Sequence, residues 1–206
     1  MALYSLLMGS AIFAMWALFL AAGQVPELAA EPVRTAGHLA AEFLTGAILI
    51  SSGAALFARR TWGRAVALTG FGLLLYALGQ AIGYWLLASE LAFFVLFTAL
   101  LSPAPILLWR SRPDRREWLL VLLGGVLYAT VQTIGYFAQQ REPVAAVMFV
   151  LLTVGTAATL IAWSTDSRAR AVSDRHDPVA PLGRPPPANR DASRQLLWLR
   201  SSPQSL

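Results

Sequence analysis

Apolar residues fall into six long runs separated by short polar connections, near residues 4–23, 37–58, 65–88, 91–109, 118–138 and 143–163. A bilayer core of about 30 Å is crossed by about 20 apolar residues in a helix, so each run predicts a transmembrane span. The expected fold class is all-α: a polytopic membrane protein with a six-helix domain over 1–163. A disordered tail is expected over 164–206, where Pro178, Pro181, Pro185, Pro186 and Pro187 lie among arginines and small polar residues that cannot build a core. Within that tail, Leu196-Leu197-Trp198-Leu199 reads either as a membrane-surface contact or as a short apolar accident. Leu20-Ala21-Ala22-Gly23 could close a cleavable signal sequence, but no basic side chain precedes the first run, so that run is expected to be retained as a span.

The pattern also repeats at an offset of 52 residues. Gly72, Leu75, Tyr76, Ala77, Gln80, Ile82, Gly83 and Tyr84 recur as Gly124, Leu127, Tyr128, Ala129, Gln132, Ile134, Gly135 and Tyr136. The same offset pairs Arg60 with Arg112, Arg64 with Arg116, Glu90 with Glu142 and Phe97 with Phe149. A shared register through a loop and two spans predicts duplicated helical hairpins over 60–108 and 112–160. The first two spans would be a diverged copy, with His38 in the register of Glu90 and Glu142. A period of two spans keeps successive copies parallel in the membrane, which disfavours the inverted-repeat transporter designs.

Within each copy, Tyr76, Gln80 and Tyr84, or Tyr128, Gln132 and Tyr136, are spaced at i, i+4 and i+8 and share one helix face. The glutamines fall at hydrocarbon depth, where an unpaired amide costs several kcal/mol. Two readings follow. The ladders line an outward-opening cavity in which glutamines bind a polar group and tyrosines pack its body, or they hydrogen-bond across helices while the tyrosines join the interfacial belt. Gly72, Gly79, Gly83, Gly124 and Gly135 are expected to permit close helix approach. His38 and Glu42 form a secondary candidate at i, i+4, suited to carrying a proton or to hydrogen bonding near the outer interface. Glu90 and Glu142 fall at turns, as solvated acids or as parts of a cation-attracting ring with His38. Ser102-Pro103-Ala104-Pro105 predicts a break in the fourth span.

Composition narrows the chemistry. Hydrophobic residues make up 57% of the 206-residue chain and charged residues only 13%, well below soluble usage of roughly a quarter. The absence of cysteine removes disulfides, thiolate metal sites and a cysteine nucleophile, and the absence of lysine removes Schiff-base chemistry. No catalytic motif, metal site or cofactor site is apparent, which leans against an enzyme. The net charge of +5 comes from arginines in connections and tail, which points to membrane orientation rather than nucleic acid binding. Arg59, Arg60 and Arg64, then Arg110, Arg112, Arg115 and Arg116, mark two cytoplasmic loops. Both termini are then cytoplasmic, and the arginine-only, alanine-rich usage suggests a bacterial cytoplasmic membrane. The expected partners are membrane lipids and a small-molecule or lipidic ligand, with a protein partner or a homo-oligomer compatible with the pattern. The functional expectation is binding or transport of that ligand through an outward-facing cavity within the bundle. The alternative is a non-catalytic scaffold or accessory subunit.

Overall fold

A computed structural model of the chain describes the backbone over residues 1–176 and side chains over 1–163. The expected disorder of 177–206, with its Leu196–Leu199 segment, lies outside the described residues. Those residues are 87% helical and contain no strand. The elements are α1 (Ala2–Ala21), α2 (Glu27–Ala30), α3 (Pro32–Phe57), α4 (Gly63–Leu87), α5 (Leu91–Leu101), α6 (Pro103–Ser111), α7 (Arg115–Gln139) and α8 (Pro143–His176). With α5 and α6 taken together, six helices are long and apolar enough to cross a membrane. Met1–Arg170 forms one compact unit, and of the described residues only the end of α8 lies outside it.

Two boundaries differ from the expectation by more than three residues. Helix α3 starts at Pro32, before the apolar run begins near 37, because proline suits a first helical turn and needs no donor there. Helix α8 continues past Trp163 to His176, where a tail was expected from 164; alanine and arginine favour helix, and Pro178 is the first residue that forbids it. Hydropathy marks where a helix stops being apolar, and capping and propensity mark where it stops being a helix.

Helices α3, α4 and α7 pack against one another, with α1 on α3 and α5 on α4. Glycine sets the spacing. At the α4–α7 crossing, a Cβ on Gly72 would strike the Val121 carbonyl and one on Gly124 would strike the Thr69 carbonyl, so neither position admits a side chain. Tyr76 then meets Tyr128 with ring centroids 5.3 Å apart. Contacting residues thus advance together along the two helices, which makes α4 and α7 parallel. Arg64 closes the same pair near their first turns, donating to the Glu117 carboxylate at 2.5 and 2.7 Å and to the Ser111 carbonyl at 3.0 Å. Asp114 and Glu117 form a capping box that begins α7.

Helix α3 runs antiparallel to both neighbours. On α1, a Cβ at Gly9 would come within 2.7 Å of the Gly46 carbonyl, and one at Gly53 within 2.9 Å of the Ala2 carbonyl. Phe13 stacks on Phe43 in the same seam, centroids 5.4 Å apart. Buried Leu49 and Leu74 pack with Met8 and Ile12 of α1, Leu68 and Phe71 with Ala104 and Leu108 of α6 and Leu120 and Val121 of α7, and Leu73 with Ala41 of α3 and Leu127 of α7. By contrast Val144, Val147, Leu151, Leu152 and Val154 of α8 are exposed, as are Leu91, Val95 and Leu96 of α5. Apolar faces of this extent are suited to acyl chains rather than water.

The proline break occurs as expected, between α5 and α6 at Ser102. Pro103 has no N–H for the Ala99 carbonyl, and the Ser102 hydroxyl donates to that carbonyl at 2.9 Å. The Tyr4 hydroxyl of α1 donates to the Leu100 carbonyl at 2.7 Å. The Ala99 and Leu100 carbonyls beside the break therefore have donors, as a water-poor setting favours.

Candidate functional site

Four polar residues of the spans meet at the α3–α7 seam. At its centre the Tyr128 hydroxyl donates to Glu42 Oε1 at 2.6 Å, with both residues buried. One turn away, Gln132 Nε2 lies 3.4 Å from His38 Nδ1, a long hydrogen bond onto a half-buried imidazole. The Trp16 indole of α1 and that imidazole are T-shaped, centroids 5.6 Å apart, and the buried Trp16 Nε1 has no hydrogen-bond acceptor among the described residues. Further along, Gly37 and Gly135 touch closely, a Cβ on either falling within 2.8 Å of the other's Cα. Arg34 lies over the Tyr136 ring at 5.9 Å, and the Val33 N–H donates to Gln139 Oε1 at 3.1 Å. That last bond supplies the start of α3 with an acceptor that its own N-cap side chain does not provide.

The seam has a simple origin in the sequence. His38 and Glu42 stand four residues apart on α3, as Gln132 and Tyr128 do on α7. Two antiparallel helices bring such pairs together in reversed order, so Glu42 meets Tyr128 while His38 meets Gln132. His38 and Glu42 share a face as expected, but their hydrogen-bond partners are on α7 rather than each other. Glu42 lies about 15 Å from the start of α3 and about 7.5 Å inside the apolar run that begins near residue 37, at 1.5 Å per residue. His38 is inside the helix, while Glu90 and Glu142 are exposed at turns; His38 is therefore not in an equivalent turn position.

The two ladders have different surroundings. Tyr128 is fully buried, Gln132 half-buried and Tyr136 exposed beneath Arg34. Tyr76 touches Tyr128 yet is 42% exposed, Tyr84 is 61% exposed, and Gln80 is exposed with no hydrogen-bond partner among the described residues. Gln80 and Gln132 therefore occupy different environments and do not face a common interior. A shallow apolar groove of about 480 Å³ lies between Leu123 of α7 and Met148, Leu151, Leu152, Gly155, Thr156 and Thr159 of α8, and it includes no ladder residue. Its threonines turn their hydroxyls onto their own helix, Thr156 to the Leu152 carbonyl and Thr159 to the Gly155 carbonyl, each at 2.8 Å.

Residues 1–111 match the model of a family described as a domain of unknown function, DUF8058. The chain belongs to this family. The matched segment carries His38, Glu42, Tyr76 and Gln80 and ends at Ser111, so the α7 side of the seam lies beyond it. No curated protein and no solved structure matches the chain.

Sequence reasoning missed Trp16, Arg34 and Gln139 as neighbours of the candidate residues. Gln139 carried no signal, since a polar residue at a helix end is ordinary. Matching i, i+4 polar pairs on α3 and α7 did carry one: it indicates which faces meet. No cluster of three or more metal-ligating side chains occurs among the described residues.

Proposed function

We propose that this protein binds or transports a small or lipidic molecule in a bacterial cytoplasmic membrane, with both termini on the cytoplasmic side and the Glu42–Tyr128–His38–Gln132 cluster as its polar recognition site. The observation that carries this reading is Glu42: a buried carboxyl group held by a single tyrosine at hydrocarbon depth. Ionisable side chains within membrane spans are costly and by default mark function. A buried carboxylate is best complemented by a cation or a hydrogen-bond donor, so the ligand class is one with a donating or cationic head and an apolar body. His38 lies one turn nearer the end that the arginine pattern assigns to the outside, which suits entry from that side.

The 52-residue repeat is read as a parallel duplication of a helical hairpin. The eight identities from Gly72–Tyr84 to Gly124–Tyr136 in one register support this. The duplication supplied two ladders, and the reading assigns the recognition role to the second alone.

Thermal unfolding of the purified protein in detergent, with a panel of amino acids, sugars, organic cations and phospholipids, tests the proposal. A saturable rise in Tm with an amine or hydroxyl-bearing amphiphile is expected, lost in Glu42→Gln and retained in Gln80→Leu. No stabilisation, or stabilisation indifferent to Glu42→Gln, would sink it. That outcome favours the second reading, a non-catalytic scaffold or accessory subunit. The mutual pairing of Glu42 with Tyr128 and His38 with Gln132 speaks for it, since polar residues often serve only to join helices.

A further inference from the structure

The exposed face of α4 has the elements of a helix contact without a helix on it. Gly79 and Gly83 stand one turn apart, and a Cβ on either would meet nothing within 4 Å. Beside them Gln80 projects an amide with no partner among the described residues, about 10 Å from the end of α4 at 1.5 Å per residue. Lipid offers that amide neither donor nor acceptor. The other glycines of α4 and α7 named above are already used, Gly72 against α7, Gly124 against α4 and Gly135 against α3. The same motif therefore has one face that is filled and one that is open.

We infer that this face binds a second copy of the chain, α4 against α4, with Gly79 and Gly83 at the crossing and the two Gln80 amides paired across a two-fold axis. Three observations favour a copy over another occupant. A primary amide both donates and accepts, so two Gln80 side chains satisfy each other under two-fold symmetry, whereas a carboxylate or a guanidinium would need a different partner. Two copies inserted in one orientation present α4 helices in parallel. The chain already shows how parallel helices of this motif close, with glycine on backbone and tyrosine on tyrosine at the α4–α7 crossing. The inference is independent of the ligand proposal, because Gln80 and Glu42 lie on different surfaces.

The chain has no cysteine, so single introduced cysteines report on the contact cleanly. In liposomes, oxidation should cross-link Gly83→Cys through the α4 face and leave Val147→Cys, exposed on α8 at comparable depth, monomeric. Fluorescence energy transfer between labelled full-length chains, followed over a range of protein-to-lipid ratios, should show a dimer. Gln80→Leu should weaken it by about 3- to 20-fold, the range of measured interhelical hydrogen bonds. Gln80→Asn should restore part of the loss, and Gly79→Ile should lower association by about tenfold or more while leaving the monomer's Tm unchanged, since the side chain enters open space. A monomer at every ratio would overturn the inference. So would equal cross-linking through Val147→Cys, association indifferent to both Gln80→Leu and Gly79→Ile, or occupation of the face by a different membrane protein.

Discussion

Tyr76-x3-Gln80-x3-Tyr84 and Tyr128-x3-Gln132-x3-Tyr136 are the same motif on parallel helices, and they have opposite surroundings. On α7 the tyrosine is buried on a carboxyl group and the glutamine reaches an imidazole. On α4 the tyrosine is partly open and the glutamine bare. The motif does not determine this difference; the neighbour does. Helix α3 can lie against the Gln132 face because Gly37 and Gly135 let the backbones touch, and α3 carries Glu42 and His38 to meet the ladder. No described helix meets the Gln80 face in this way. The same motif can thus meet different environments, and each follows from what packs on it.

The largest test of this contrast concerns the glycines. Gly72→Val and Gly124→Val drive a side chain into a carbonyl of the opposing helix, and overpacking of this kind costs about 1–3 kcal/mol or more. Unfolding in detergent should show that loss or a failure to accumulate folded protein, while Gly79→Val and Gly83→Val should change monomer stability by less than about 0.5 kcal/mol. Equal effects at all four positions would erase the distinction between closed and open faces. Next are the tyrosines. Tyr128→Phe leaves the buried Glu42 carboxyl without its donor, a loss of about 1–3 kcal/mol, whereas Tyr76→Phe should fall within about 0.5 kcal/mol. A Tyr76→Phe loss as large as that of Tyr128→Phe would mean that the two copies share one environment.

The glutamines should follow with smaller effects. Gln132→Leu should cost about 0.6–1.7 kcal/mol in the monomer, and Gln80→Leu none. Smallest is the arginine pair: Arg64 binds Glu117 at a partly exposed position, so Arg64→Gln should cost about 0.2–1 kcal/mol and less as salt rises. Its counterpart Arg116 has no ion pair among the described residues, and Arg116→Gln should be silent.

The all-helical architecture and the six spans were legible because hydropathy over 20 residues averages out local detail. The proline break was legible because Pro103 and Pro105 act on their own helix. Whether Gln80 and Gln132 would share a cavity was not, because it depends on which of several apolar faces pack together. In a membrane those choices rest on small residues rather than on a contrast with water. Gly72 and Gly79 look alike in the sequence, yet one is closed by the backbone of α7 and the other meets nothing. The Glu42–Tyr128 pair joins residues on two separately read helices, and it emerges only when α3 and α7 are placed antiparallel.

That pair also bears on biosynthesis. Glu42 and Tyr128 are 86 positions apart. At synthesis rates of about 5–20 residues per second, α3 waits on the order of 4–17 s before α7 exists. Through that interval the nascent chain carries a carboxyl group without its tyrosine donor, while the seams of α3 with α1 and α4 can already close. The arrival of Tyr128 then supplies the donor, so the fifth of the six spans completes the polar partners of the second.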